Sequence, residues 1–510
     1  MKKISFLMAA LLVAMTGCQK EPQQNAETTE GGEVYMSFSV QAVSKSSTDN
    51  TGDSNSNATP ETEVGKDDEN KISNIQVFLQ NGTNTIKATN VSLVGGGVNY
   101  TATFKEENLV ADIPYSIYVI CNEGTEIANP NANTSIKKIS DWNGTELNIS
   151  ADNNFLMTNA KTVSPRTITE AELEACMSPT TPLNLGTIEV ERTVARFDYA
   201  QVKDDHLYSI TGNDNVKIYL SEAAVINVSK ESYYFRRVAA TETGADFVVG
   251  GVESPANYVV DTDWTAKTTL KTTWDDNGAF GLFYSPFFNR ASWNWIDLTK
   301  LSAADKLDPI NTKDYKFLSY VSENTLPGVK AQINGLSTGV VFRGYFHNGS
   351  ALINSTLING DNKNLYVYAN KYYGNWAAVE TIAKANTDAA LTAAYNAVSA
   401  NPTNLAECAE AGFTVYTPDA KGNYPVYYYY WNRHNDNNEP YEMGVMEYAV
   451  VRNNVYKLAV TNISKFGHPE DGEGDPDDGG SEREDEEERH YFQVSVKVLP
   501  WTVRVNDIEF

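Results

Sequence analysis

Apolar and polar positions alternate strictly at the start of the first β-pattern. Val34, Met36, Phe38, Val40 and Ala42 interleave with Tyr35, Ser37, Ser39 and Gln41, the period-two pattern of a strand with one buried face. Short runs of this kind, or of β-branched and aromatic residues between turn residues, recur along the chain. They are NIQVFLQNG, the hairpin VSLVGGGVNYTATF, YSIYVICNEG, KIYLSEAAVINVS, GLFYSPFFNRASWNWIDL, TGVVFRGYF and NLYVYANKYY. PVYYYYWNRH and MEYAVVRNNVYKLAVTNISKFG read as two strands around a turn. Helical patterning is confined to TITEAELEAC and to the Ala-rich WAAVETIAKANTDAALTAAYNAVSA, which predicts a helix on the rim of a sandwich. The segment LGTIEVERTVARFDYA is a long strand pattern with no loop composition, and a domain border is placed close to it, near residue 195.

Two polar interruptions set the ends of the chain apart. After the first strand come 25 residues, SSTDNTGDSNSNATPETEVGKDDEN, too polar to pack and too long for an ordinary connection. Near the other end, twelve acidic residues fall between Glu470 and Glu488 among Gly and Pro, a self-repelling linker that buries too little to fold alone. Beyond it, Phe492, Val494, Val496 and Val498 alternate with polar residues; Pro500 breaks the run, and Trp501, Val503 and Val505 resume it. Each end of the body thus carries a strand on a tether.

Charge and composition narrow the possible partners. The net charge is −26 over 510 residues, which disfavours nucleic acid, other polyanions and anionic membrane surfaces as ligands. With 29 Tyr and 19 Phe, aromatic material for sheet cores is ample. Lys2 and Lys3 precede an apolar run from Ile4 to Met15 and then Thr16, Gly17 and Cys18; a run of this length reads as a signal peptide rather than a membrane span. The residues before Cys18 resemble the bacterial lipobox, with Met15 where that motif usually has Leu, which implies lipidation of Cys18. Cys121, Cys176 and Cys408 are too few and too irregularly spaced for a disulfide scaffold or a metal site, and Cys121 reads as a small buried hydrophobe.

No catalytic constellation emerges. Gly335-Leu336-Ser337-Thr338-Gly339 matches G-x-S-x-G, but a strand pattern follows it where a nucleophile elbow needs a helix. The five histidines, His206, His347, His434, His468 and His490, have no metal spacing. Asp475, Asp477, Gly480 and Glu486 fall at EF-hand positions, yet Pro476 intrudes and no helices flank them. Trp293, Trp295 and Tyr427 to Tyr430 offer stacking faces to sugars on one reading, and core or cross-strand packing on the other. No cofactor, metal ligand or enzymatic role is expected.

YMSFSV, KISNIQVFL, VERTVARFDYA, YYYYWNRH, VVRNNVYKLAVTNISKFG and VKVLPWTVRVNDIEF, with the lipobox and in this order, resemble the major-subunit fimbrillins of type V pili, short-fimbria branch. The resemblance implies an all-β chain of two transthyretin-like β-sandwich domains with a few short helices and a C-terminal donor-strand extension. It also implies export as a lipoprotein to the outer membrane, proteolytic removal of the first strand, and polymerisation by donor-strand exchange into an adhesive cell-surface fimbria. The organisation expected is a signal peptide (1–17), a lipidated propeptide with the removable strand (18–45), a polar processing linker (46–71), an N-terminal sandwich (72–195), a C-terminal sandwich (196–467), an acidic linker (468–490) and the donor strands (491–510). The family's activating cut follows an arginine, but none precedes Arg166 here. Lys45, followed by Ser46, matches the position best, with Lys66 and Lys71 farther along. Expected partners are copies of the chain, related subunits, and surface receptors or glycans. The alternatives are a tip or accessory fimbrillin and a monomeric glycan-binding surface lipoprotein.

Overall fold

A computed structural model of the protein describes residues 34–42, 65, 67–106, 108–129, 136–138, 155–229, 231–254, 256–270, 293–301, 314–327, 336–435, 444–469, 493–500 and 502–509. Cys18, Lys45, Ser46, Phe492, Trp501, the G of Gly335, and the acidic run from 470 to 492 lie outside the described residues.

The first sheet is built from β1 (Val34–Ala42), β2 (Ile75–Asn81), β3 (Asn84–Lys87), β4 (Thr89–Gly96), β5 (Asn99–Glu106), β6 (Pro114–Cys121), β7 (Met157–Asn159) and β8 (Leu183–Arg192). Their spatial order is β3-β2-β6-β7-β8-β1-β5-β4, and a two-residue strand, Arg166–Thr167, is added on β6. β3 and β4 stand at opposite ends of this order, yet they are one run of chain interrupted only by Ala88, whose N–H donates to the Val77 carbonyl at 2.9 Å. The sheet therefore wraps round on itself, and one seam of the wrap is closed covalently. Alternate residues fill the interior: Val77, Leu79, Tyr100, Phe104, Ile117 and Val119 are all buried. A helical turn, α1 (Asp67–Asn70), precedes β2, and α2 (Glu170–Ala175) starts with a reciprocal capping box between Thr169 and Glu172.

LGTIEVERTVARFDYA, read as one long strand, divides at Thr193. β8 ends in the first sheet, and β9 (Val194–Ala200) opens the second. The principal further strands are β10 (Leu207–Ser209), β11 (Lys217–Ile226), β12 (Tyr315–Ser322), β13 (Gly339–His347), β14 (Pro425–Trp431), β15 (Asn454–Asn462), β16 (Gln493–Pro500) and β17 (Thr502–Glu509). They form two sheets, β12-β9-β15-β17-β16 and β10-β11-β13-β14, the latter with a short strand, Ile296–Asp297, on β11. The two sheets share one core with the first sandwich. Phe197, Tyr199 and Leu458 from one side meet Leu220, Phe342 and Tyr428 from the other, with the Tyr199 and Phe342 rings 5.8 Å apart.

Three expectations are corrected. β14 and β15 do not form a hairpin: β14 pairs with β13 and β15 with β9, because the chain from 432 to 453 is long enough to cross from one layer to the other. Beyond α3 (Trp264–Leu270), the Ala-rich pattern is two helices, α4 (Trp376–Lys384) and α5 (Ala389–Val398), since Asn386 takes a φ of +52° and Asp388 caps the second. With α6 (Leu405–Glu410) they pack on a small sheet formed by Leu365–Tyr368, Lys371–Gly374 and Phe413–Tyr416, around a core of their own. Finally, the end of the polar linker is packed into the body and not left in solvent: Glu69 and Asn70 are buried.

Candidate strand-accepting site

β1 lies inside the first sheet, not at its edge. It runs antiparallel to β5, with Met36 opposite Phe104, Phe38 opposite Ala102 and Val40 opposite Tyr100. On its other side it runs parallel to β8, with Met36 opposite Leu183 and Val40 opposite Ile188. A bulge falls on the β8 side, between the pairs Ser37–Asn184 and Ser39–Thr187. Gly186, at a φ of +88°, supplies the conformation that the extra residue demands.

The alternation read from the sequence becomes two environments. Val34, Met36, Phe38 and Val40 are buried, the last three at no more than 1% exposure, while Ser39 and Gln41 face solvent. The side chain of Ala42 lies outside the described residues. Phe38 meets Phe104 edge-on at 5.9 Å. One further bond ties the strand in: the Tyr35 N–H donates to the Cys176 carbonyl at 2.9 Å. Burial, with the nearby Glu172 carboxylate, pushes the Cys176 thiol up from its ordinary pKa.

β1 is the single strand joining the β8 side of the wrap to the β5 side, the other seam being the β3–β4 run. Taking it out would bare backbone donors and acceptors along both walls, together with the apolar floor beneath. The site thus holds one extended segment, β1, in a defined register with apolar residues buried at every second position.

The terminal hairpin carries segments of that kind. β16 and β17 pair antiparallel, and β17 runs parallel to β15, Val455 opposite Val503 and Lys457 opposite Val505. The segment expected to hang free beyond the acidic linker is therefore paired to its own second sandwich. Its register also separates two apolar series that look continuous in the sequence. Val494, Val496 and Val498 stand opposite Ile508, Asn506 and Arg504, whereas Val505 stands opposite Lys497. Directly opposed residues share a face of a pair, so each strand has its own apolar stripe.

A buried charged cluster lies where the first sheet hands over to the second. Arg192 at the end of β8 donates from Nε to the Glu69 carbonyl at 2.7 Å and from Nη1 to Asn453 at 3.0 Å, and it also bonds Asn70. Arg196 on β9 donates from Nη1 to both Glu69 carboxylate oxygens at 2.8 and 2.7 Å, and grips Asp198 with two bonds of 3.0 Å. The Tyr320 hydroxyl donates to Glu69 at 2.5 Å, and Lys457 stands 3.6 Å from Asp198. The signal for this cluster was the charge embedded in the apolar strand VERTVARFDYA; nothing in sequence indicated that its partner was Glu69, in a tract of tether composition.

The other candidates are structural. Trp293, Tyr427, Tyr429, Trp431 and Tyr448 are buried against one another, and Arg343 stacks 4.0 Å over the Trp295 ring. Ser337 is buried, and β13 follows it directly, so the G-x-S-x-G match leads into a strand. Cys121, Cys176 and Cys408 are unbridged and buried.

Comparison with known families locates the chain. Residues 35–218 match the family described as major fimbrial subunit protein (FimA). Residues 423–507 match the family described as major fimbrial subunit protein type IV, fimbrillin, C-terminal. The first match starts within β1 and runs into β11; the second spans β14 to β17. No curated protein matches the chain significantly.

Proposed function

We propose, from the premise that this chain belongs to the bacteroidete-type major fimbrillin family, that it is a shaft subunit polymerised by donor-strand exchange. Membership makes the chain a structural subunit of a cell-surface fimbria that assembles with other subunits. The finer reading is that β1 is cut away after export, and that a terminal strand of a neighbouring copy then fills the slot between β5 and β8.

The observation that carries this reading is the contrast between how deeply β1 is buried and how it is attached. Four apolar side chains of β1 are buried. At about 1.5–3 kcal/mol each they contribute roughly 6–12 kcal/mol gross, an upper bound because the unfolded chain also buries surface. Yet the strand is joined to the body by Ser, Thr, Asn, Asp and Gly, the composition of a protease-accessible tether. An empty slot is costly enough to drive capture of another strand. In the proposed filament the donors are Val494, Val496 and Val498 of β16 or Val503 and Val505 of β17, with Phe492 and Trp501 flanking, and the acidic linker gives them reach.

Cys18 is the lipidated residue of the outer-membrane precursor, and Lys45–Ser46 is the first candidate bond for the activating cut. Adhesion is the biological role the filament serves. N-terminal sequencing of subunits extracted from filaments tests the reading: subunits starting beyond Ala42 support it, and shaft subunits that retain Cys18 overturn it. Cys18→Ala is expected to abolish both lipid labelling and fimbriation.

A further inference from the structure

We propose that residues 69–73 are the permanent N-terminal anchor of the mature subunit, a strap that clamps the two sandwiches and both walls of the slot after β1 has gone. This rests on the reading that β1 is removed, and it gives the activating cut a downstream limit. Hydrolysis of one peptide bond by an external endoprotease, with water as co-reactant, leaves a new carboxylate and a new ammonium. The strap requires that this bond precede Glu69.

The strap is tied to every element around the junction. Glu69 binds Arg196 of β9 and Tyr320 of β12 through its carboxylate, and Arg192 of β8 through its carbonyl. Ile72 donates its N–H to the Tyr100 hydroxyl at 3.0 Å, and Tyr100 is the β5 residue opposite Val40 of β1. Ser73 donates to Asn122 Oδ1 at 2.8 Å, while the Asn122 amide returns 2.8 Å bonds to the Lys71 and Phe155 carbonyls. Five residues thus connect both walls of the slot, the turn after β6, and the second sandwich.

Charge explains why the strap cannot be dispensed with. Arg192, Arg196 and Lys457 meet Glu69 and Asp198 in a cluster from which solvent is excluded. Removing Glu69 leaves the cationic side in excess, and an uncompensated buried charge is strongly destabilising. The lysines between the end of β1 and the start of β2 are therefore not equivalent. Hydrolysis after Lys45 or Lys66 keeps Glu69 in the subunit, whereas hydrolysis after Lys71 discards it.

The test uses the full chain and needs no filament. Under native conditions lysyl endopeptidase is expected to yield a folded product starting at Ser46 or Asp67, with the Lys71–Ile72 bond intact. Glu69→Ala should lower the thermal midpoint by roughly 10 °C and speed cleavage at Lys71 by at least about tenfold. Glu69→Gln, which keeps the shape and loses the charge, should move both in the same direction by less, and it carries the test if the alanine variant does not fold. Cleavage at Lys71 as fast as at Lys45, or unchanged midpoint and cleavage in the Glu69 variants, overturns the strap. Filaments built from subunits that start at Ile72 overturn it while leaving the shaft reading standing. A processed subunit that keeps Lys71 protected but never polymerises does the reverse.

Discussion

The two terminal β-segments are placed alike and held differently. β1 runs parallel to β8 on one side and antiparallel to β5 on the other; β17 runs parallel to β15 and antiparallel to β16. β1 fills the interior of a wrapped sheet and joins its two halves, so its loss opens the wrap. The hairpin only extends a sheet from β15, a strand already paired to β9 on its other side. Position within a sheet, not strand quality, decides which segment its own domain can spare.

Strand deletion tests that difference most severely. Removing residues 34–42 takes away about 6–12 kcal/mol gross, comparable with the whole stability of a domain, so the monomer is expected to lose the near-ultraviolet signal of the first sandwich and to aggregate or polymerise. A peptide of the 491–510 sequence should restore it. Removing residues 491–510 should cost only a few degrees of thermal midpoint and leave both sandwiches folded, but abolish polymerisation. Equal losses in the two deletions would end the comparison.

Point substitutions carry the same contrast at smaller amplitude. Phe38→Ala should destabilise the precursor by about 3–5 kcal/mol in denaturant unfolding and, under the proposed removal of β1, leave processed subunits unaffected. Val496→Asp should block polymerisation scored by electron microscopy, because a charge in an apolar slot costs several kcal/mol when unpaired, while Ser495→Asp on the other face is tolerated. Indistinguishable filaments from these two would remove β16 as donor and leave β17, whose valines belong to the other stripe.

The remaining two predictions are finer. Cys176, whose carbonyl holds the Tyr35 N–H, should become reactive to a thiol reagent at pH 8 once β1 is removed. Its pKa is raised by burial and by Glu172, so exposure moves it back down and increases the thiolate fraction. Cys408, buried in the separate helical core, should stay silent. Gly186→Ala, at the bulge, should cost about 1 kcal/mol in the precursor, because φ there is +88° although open space surrounds the position.

Much of the architecture was legible because it is written in local periodicity. The alternation in β1, the turn between β4 and β5, the short helical pattern of α2 and the all-β class are properties of neighbouring residues. A border near residue 195 was read from the sequence, but not that the strand pattern itself splits there, because both halves of LGTIEVERTVARFDYA are good strand sequence and only the choice of different partners separates them. The same holds for β14 and β15, whose hairpin-like succession hides a crossing between layers. Glu69 and Asn70 read as tether because polar composition is the signature of solvent exposure; their burial followed from the two arginines that meet them there.

By itself the sequence determined that the chain is mostly β and which face of β1 is apolar, since each of these depends on residues within one element. Tertiary structure alone decided that β1 is the interior strand closing a wrapped sheet, that the terminal hairpin rests on β15, and that Glu69 belongs to the buried junction. Those outcomes depend on pairing across up to hundreds of residues, where the desolvation of charge and the completion of backbone hydrogen bonds, invisible to any local pattern, select the partner.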